Sequence, residues 1–187
     1  MEKRSSAPPS KRRVFAAIVC VVVALDVITK LWAQTALLPQ RIPREVLGDW
    51  VRLTLVYNPG AAFGLYLGSY SRVIFLVLTA VALVILGRLY ATTRPGHVAR
   101  IVAIGLVCGG AIGNLIDRVI SPRGVVDFLD LGIRDMRWPT FNVADIAVTT
   151  GALLLAWVLW VEDARENAEA AAESAAPPGG AEPNEGT

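Results

Sequence analysis

The chain has 187 residues, 54% hydrophobic and 18% charged, with a mean hydropathy of +0.51 and a formal net charge of +2. Soluble domains run at about 45–50% apolar and about 25% charged, so this balance belongs to a membrane protein. One His and two Cys exclude a multi-His metal centre, a Cys-rich zinc module and a disulfide scaffold; no metal, no cofactor and no nucleic-acid partner is expected.

Three regions follow from charge and hydropathy. Residues 1–13 are a basic tail carrying Lys3, Arg4, Lys11, Arg12 and Arg13. Residues 14–161 form one membrane unit. Residues 162–187 carry seven acids against one base and almost no bulky apolar residue, a composition that favours a disordered tail, with a helix running some way past Val161.

Four stretches are apolar for the roughly 20 residues that a bilayer requires: 14–32, 70–89, 98–116 and 143–161. The dense basic tail places the N-terminus in the cytoplasm, and four crossings return the C-terminus to the same side. A cleavable secretory signal over 11–36 is the rival reading of the first stretch. Asp26 and Lys30 interrupt its apolar core, and its length suits a span.

Between spans 1 and 2, residues 46–57 are rich in Val, Leu, Trp and Tyr and suit short strands at the membrane surface. Asn58-Pro59-Gly60-Ala61 reads as a type II turn, with Pro at the second position and Gly at the third. Span 3 carries Gly105, Gly109 and Gly113 at intervals of four, plus Gly110, a spacing that lets a neighbouring backbone approach closely. A second extended piece, 124–128, precedes span 4. The expected fold is an all-α membrane protein, a bundle of four transmembrane helices with a small extracytoplasmic β-rich segment at the outer membrane surface.

On this topology the intramembrane polar groups gather at one depth. Asp26 and Lys30 fall in the outer half of span 1, Asn114, Asp117 and Arg118 at the outer end of span 3, and Asn142 and Asp145 at the outer start of span 4. Asn58 and Asp127 lie in the outer segments. The spacings i,i+4 and i,i+3 put each helical set on one face. Ionisable groups in mid-membrane cost ~2.5–3.5 kcal/mol each on insertion scales, so their concentration at one face points to a site.

Elimination narrows the chemistry. His97 lies in the short inner loop, on the wrong side for a triad. A Ser-Lys dyad would need Lys30 to reach Ser69, Ser71 or Ser121, and Lys30 has a partner in Asp26. Carboxylates remain: two that approach closely share a proton, one serving as base toward water and the other donating to a carbonyl. Asp117, Asp127 and Asp145 are the candidates. Asp117, beside Arg118, reads as a structural ion-pair partner. Asp127 and Asp145 stand among apolar sequence neighbours that favour a protonated carboxyl.

Five strings, Asp26-Val-Ile-Thr-Lys30, Asn58-Pro-Gly-Ala-Ala-Phe63, Gly109-Gly-Ala-Ile-Gly-Asn-Leu-Ile-Asp-Arg118, Val125-Val-Asp-Phe128 and Phe141-Asn-Val-Ala-Asp145, together resemble the successive motifs of lipoprotein signal peptidase, or signal peptidase II. The resemblance covers roughly residues 14–160, and the tails lie outside it. It implies an intramembrane aspartic endopeptidase of the bacterial plasma membrane that acts on diacylglyceryl-modified prolipoproteins, cleaving N-terminal to the modified cysteine. By motif match Asp127 and Asp145 take the catalytic positions. Asn58, Asn114, Arg118 and Asn142 match polar positions around the substrate, and Asp26 and Lys30 a supporting pair. Membrane lipid is the second expected partner, and a monomer is expected. The alternative is a small proton- or ion-coupled transporter, which would carry polar groups toward both membrane faces.

Overall fold

The computed structural model describes residues 10–62, 65–66 and 70–175. Among these residues four helices are long and apolar enough to cross a membrane: α1 (Lys11–Ala36), α2 (Ser71–Thr92), α3 (Val98–Ile120) and α4 (Val143–Ala175). α3 and α4 begin at the residues that the hydropathy predicts. α2 begins one residue inside its stretch, and the remaining ends lie beyond the apolar stretches, because a helix needs only its own backbone hydrogen bonds to continue past the bilayer core. α4 shows this most clearly: Glu162 to Ala175 continue the helix, the run past Val161 that the composition allows. Ala and Glu are strong helix formers and supply that extension. Residues 176–187 lie outside the described residues, as does the basic tail through residue 9.

α3 is the axis of the bundle. It packs against α1, α4 and α2, and ten of its residues are buried, whereas α2 is exposed along most of its length. The glycine stripe explains how α1 and α4 come so close. A Cβ built on Gly105 would lie 3.1 Å from Ile18, on Gly109 2.8 Å from Val22, and on Gly113 2.5 Å from an Asp26 carboxylate oxygen. On the other side of α3, a Cβ on Gly110 would overlap the Ala144 carbonyl of α4. The stripe therefore serves packing, as its spacing predicts, and it seats the Asp26 side chain directly on the α3 backbone.

Between the helices lie β1 (Arg44–Leu47), β2 (Val51–Asn58), β3 (Ala61–Ala62), β4 (Leu65–Tyr66), β5 (Val125–Ile133) and β6 (Met136–Arg137). An antiparallel sheet has the order β1-β2-β5-β6, and β3 pairs with β4 separately. The strand expected over 124–128 is longer than its apolar signal, because β5 pairs along β2 from Asn58↔Val125 to Val51↔Leu131. Alternation along β5 sends Val126 and Phe128 into a core with Ala33, Leu37 and Leu55, and turns Asp127 to the opposite face.

Polar groups lock the sheet. Asp130 accepts from Thr54 at 2.9 Å, Arg52 at 3.2 Å and Arg137 at 2.9 Å, and Asp49 pairs with Arg52 at 3.1 Å. Burial alone would push the Asp130 carboxyl up; the bonds from Arg137 and Thr54 and the charges of Arg52 and Arg137 hold it below the usual range instead.

Gly113→Ala should destabilise the chain by about 1–3 kcal/mol, the usual penalty for forcing an extra methyl into a packed interface. Gly87→Ala, on α2 with nothing within 4 Å of the added methyl, should be neutral or slightly stabilising. Thermal unfolding of the two variants in detergent checks the contrast.

Candidate active site

Lys30 lies at the centre of the polar cluster. Its residue is 2% exposed and Asp26 is 0% exposed, so both have left water. The ammonium lies 2.7 Å from Asp26 and 2.9 Å from Asp117, and donates to Asn114 Oδ1 at 3.0 Å. Two carboxylates and one amide oxygen thus crowd the nitrogen and commit it to this cluster. That geometry closes the Ser-Lys reading. Ser71 is buried at the start of α2 and Ser121 ends α3; Ser69 lies outside the described residues.

An ammonium can only donate, so Asn114 must meet Lys30 with its oxygen. Its amide nitrogen is then directed at Asp145 Oδ1, at 2.8 Å. Asn142 repeats the device. Its Nδ2 reaches Asp127 Oδ1 at 2.7 Å and Asn114 Oδ1 at 3.1 Å, while its Oδ1 accepts the Asp145 backbone N–H at 3.0 Å. The Asp145 carboxylate in turn accepts the Asn142 backbone N–H at 3.1 Å. Asn142 and Asp145 therefore form a reciprocal capping box at the start of α4. Asp26 Oδ1 satisfies a further free donor of that helix end, Ala144 N–H, at 2.9 Å.

Asp127 enters from the sheet. Asn58 is paired with Val125, so Asp127 is its diagonal neighbour on the same face, and Asn58 Nδ2 donates to Asp127 Oδ2 at 3.1 Å. Asn58 Oδ1 accepts Gly60 N–H at 3.1 Å. The bend at 58–61 is thus closed by the Asn58 side chain, with Gly60 at the expected positive φ, +119°. Phe63 lies outside the described residues.

The two carboxylates face one cavity of about 530 Å³, lined by Asn58, Asn114, Arg118, Asp127 and Asp145, by the loop from Trp138 to Phe141, and by the α4 face through Thr150. Asp127 is 3% exposed. Its burial, and then the negative charge of Asp145, push its pKa up to about 7 against the pull of bonds from Asn58 and Asn142. Asp145 is half-buried. Its apolar sequence neighbours do not surround it, because adjacent helical residues point about 100° apart; Ala144 is buried against α3 while Asp145 opens on the cavity.

The model of the signal peptidase (SPase) II family matches residues 18–161. The chain belongs to the signal peptidase II family. The lipoprotein signal peptidase of Mycobacterium bovis (strain BCG / Pasteur 1173P2) is 40% identical over 159 residues, spanning 82% of this chain and 74% of that protein. That of Syntrophotalea carbinolica is 41% identical over 158 residues, spanning 83% and 96%. Two solved structures, each described as a bacterial membrane enzyme structure by the in meso method, at 2.3 and 1.9 Å resolution, align with TM-scores of 0.71 and 0.68. Their identities are 31% and 32%; the alignments cover 81% and 78% of this chain and 90% and 91% of theirs.

In this signal peptidase II family member the polar positions gathered at one membrane face, Asp26, Lys30, Asn58, Asn114, Asp117, Arg118, Asp127, Asn142 and Asp145, meet around the one cavity. Asp117 is an ion-pair residue, though its partner is Lys30 rather than the adjacent Arg118. It also accepts the Val126 backbone N–H at 3.2 Å, tying α3 to β5. His97 lies at the opposite end of α3 from the cavity, 2.8 Å from Glu162. Arg118 lines the cavity 5.6 Å from the Phe75 ring, and its Nε is buried with no hydrogen-bond partner among the described residues. Arg72 is the second residue of α2. It donates to the Arg118 carbonyl at 2.6 Å and the Val119 carbonyl at 3.1 Å, capping the end of α3. Its position just after an apolar span's start resembles any interfacial arginine, and no sequence signal distinguishes it.

Lys30→Met leaves two buried carboxylates without their cation. The expected loss is about 3–5 kcal/mol, the range for breaking one side of a buried ion pair, read as a fall in unfolding midpoint relative to the wild type.

Proposed function

We propose that the chain is an intramembrane aspartic endopeptidase that removes the signal peptide of bacterial prolipoproteins, cutting N-terminal to the diacylglyceryl-modified cysteine. The observation that carries this reading is the pair Asp127 and Asp145, facing one cavity, each oriented by its own asparagine amides. The names of the relatives supply the substrate class. Catalytic roles for Asp127 and Asp145 rest on the geometry above, as do substrate-facing roles for Asn58, Asn114 and Arg118, which line the cavity, and supporting roles for Asp26, Lys30 and the fully buried Asn142.

The chemistry balances with a single shared proton. Asp127 holds it near neutrality, where its raised pKa keeps the acid form populated, and Asp145 is the base. A water between them loses a proton to Asp145 as its oxygen attacks the scissile carbonyl, while Asp127 protonates the carbonyl oxygen. Collapse of the tetrahedral species returns a proton to the departing amine. Arg118, without a carboxylate partner within salt-bridge distance among the described residues, is placed to hold a substrate carbonyl. The amides of Asn58 and Asn114 suit an extended peptide whose backbone would otherwise lack partners.

The same reading assigns the protein to the bacterial plasma membrane as a monomer, with both termini cytoplasmic, the cavity at the outer face and the diacylglyceryl chains in the surrounding lipid. A transporter fits less well. Nearly all buried polar side chains gather at the sheet end of the bundle, with Thr93 at the other end.

Two measurements test the reading. Asp127→Asn and Asp145→Asn should each lower cleavage of a diacylglyceryl-modified proprotein by about 10²–10⁴-fold while the protein stays folded; full processing by either folded variant overturns the dyad. In wild type, kcat/KM should fall as pH rises through about 7, because Asp127 loses the proton it must donate. A profile level up to about pH 9 would remove Asp127 from the acid role.

A further inference from the structure

Threonine in a membrane helix ordinarily satisfies its hydroxyl by bonding back to a carbonyl one turn earlier. Most helical threonines here do so: Thr29 to Leu25 at 2.7 Å, Thr35 to Trp32 at 3.0 Å, Thr79 to Phe75 at 2.7 Å and Thr92 to Leu89 at 3.0 Å. Thr149 and Thr150 on α4 are the exceptions. Among the described residues neither hydroxyl has a hydrogen-bond partner, both residues are exposed, and both line the cavity that holds Asp127 and Asp145.

Their position gives these hydroxyls a direction. Thr149 is four residues from Asp145, hence on the same helix face and about 6 Å further along the axis, away from the sheet and toward the bilayer interior. A substrate bound across the dyad must present its scissile amide in extended form, and the segment on the N-terminal side of the cut then descends along this face. Each backbone N–H and C=O freed by unwinding there costs several kcal/mol unless it is paired. A hydroxyl can both donate and accept, whereas an acyl chain in the same place would gain nothing from it.

We propose that the Thr149 and Thr150 hydroxyls hydrogen-bond the backbone of the signal-peptide segment just N-terminal to the scissile bond, so that the substrate is held unwound below the dyad. This rests on the peptidase reading and extends it. The two threonines are binding residues that select a backbone able to leave the helical state, and not a particular side chain.

The test uses the full chain in detergent with a synthetic signal peptide bearing a diacylglyceryl cysteine. Thr149→Val/Thr150→Val keeps shape and removes both hydroxyls. It should raise KM by about tenfold with kcat nearly unchanged and no drop in unfolding midpoint. Thr149→Ser/Thr150→Ser should return KM to within about twofold of wild type. An unaltered KM in the valine variant, or a rise that serine fails to reverse, overturns the inference while wild-type cleavage leaves the peptidase reading standing. Absence of wild-type cleavage removes both.

Discussion

The ammonium of Lys30 is the constraint on which the rest of the cluster depends. It is buried on the first span and carries a charge that nothing in a bilayer would solvate. Two carboxylates from α1 and α3 compensate that charge, and the third proton sets the orientation of Asn114. From there the polarity of every subsequent group is determined: oxygen toward the lysine, nitrogen toward Asp145, and the Asn142 amide turned to serve Asp127 on one side and the α4 backbone on the other. A buried ion pair of this kind is a poor source of net stability, since desolvation offsets most of the attraction. Its effect here is directional, removing the freedom of two amides to flip.

Such an arrangement requires helices close enough for short polar side chains to span the gap. The glycines of α3 provide this on two faces. Gly113 lets Asp26 rest on the α3 backbone, and Gly110 admits the first turn of α4. From that position Asp26 reaches across to the Ala144 N–H, so one carboxylate serves the lysine and the helix end together. The sheet is braced by Asp130 and its arginines, tied to α3 through Asp117, and delivers Asp127 to the cavity. The cavity thus has a wall of membrane helices and a wall of strands, and one catalytic candidate comes from each.

The sequence made the spans, the single depth of the polar groups and the packing role of the glycine stripe legible, because each is a periodic or compositional signal carried by neighbouring residues. Contacts between distant segments were not legible. Asp117 looked like a partner for Arg118 because the two are adjacent, yet adjacent residues on a helix diverge, and Lys30 from another span takes it. Asp145 looked apolar in setting for the same reason. The grip of Arg52 and Arg137 on Asp130 joins three strands, and the cap that Arg72 places on α3 joins two helices. Neither leaves a local trace. Between Asp117, Asp127 and Asp145, spacing offered no decision; motif resemblance made the assignment, and the three-dimensional contacts explain why Asp117 is occupied elsewhere.

The capping box at the head of α4 carries a consequence for biogenesis. Asn142 and Asp145 orient each other only when the first turn of that helix exists, since the bonds involved are to backbone N–H groups in helical register. Before the fourth span has formed and docked against α3, the Asp145 carboxylate has neither its backbone donor nor Asn114. On the proposed assignment of Asp145, a half-inserted chain therefore lacks an ordered dyad until its last span is in place.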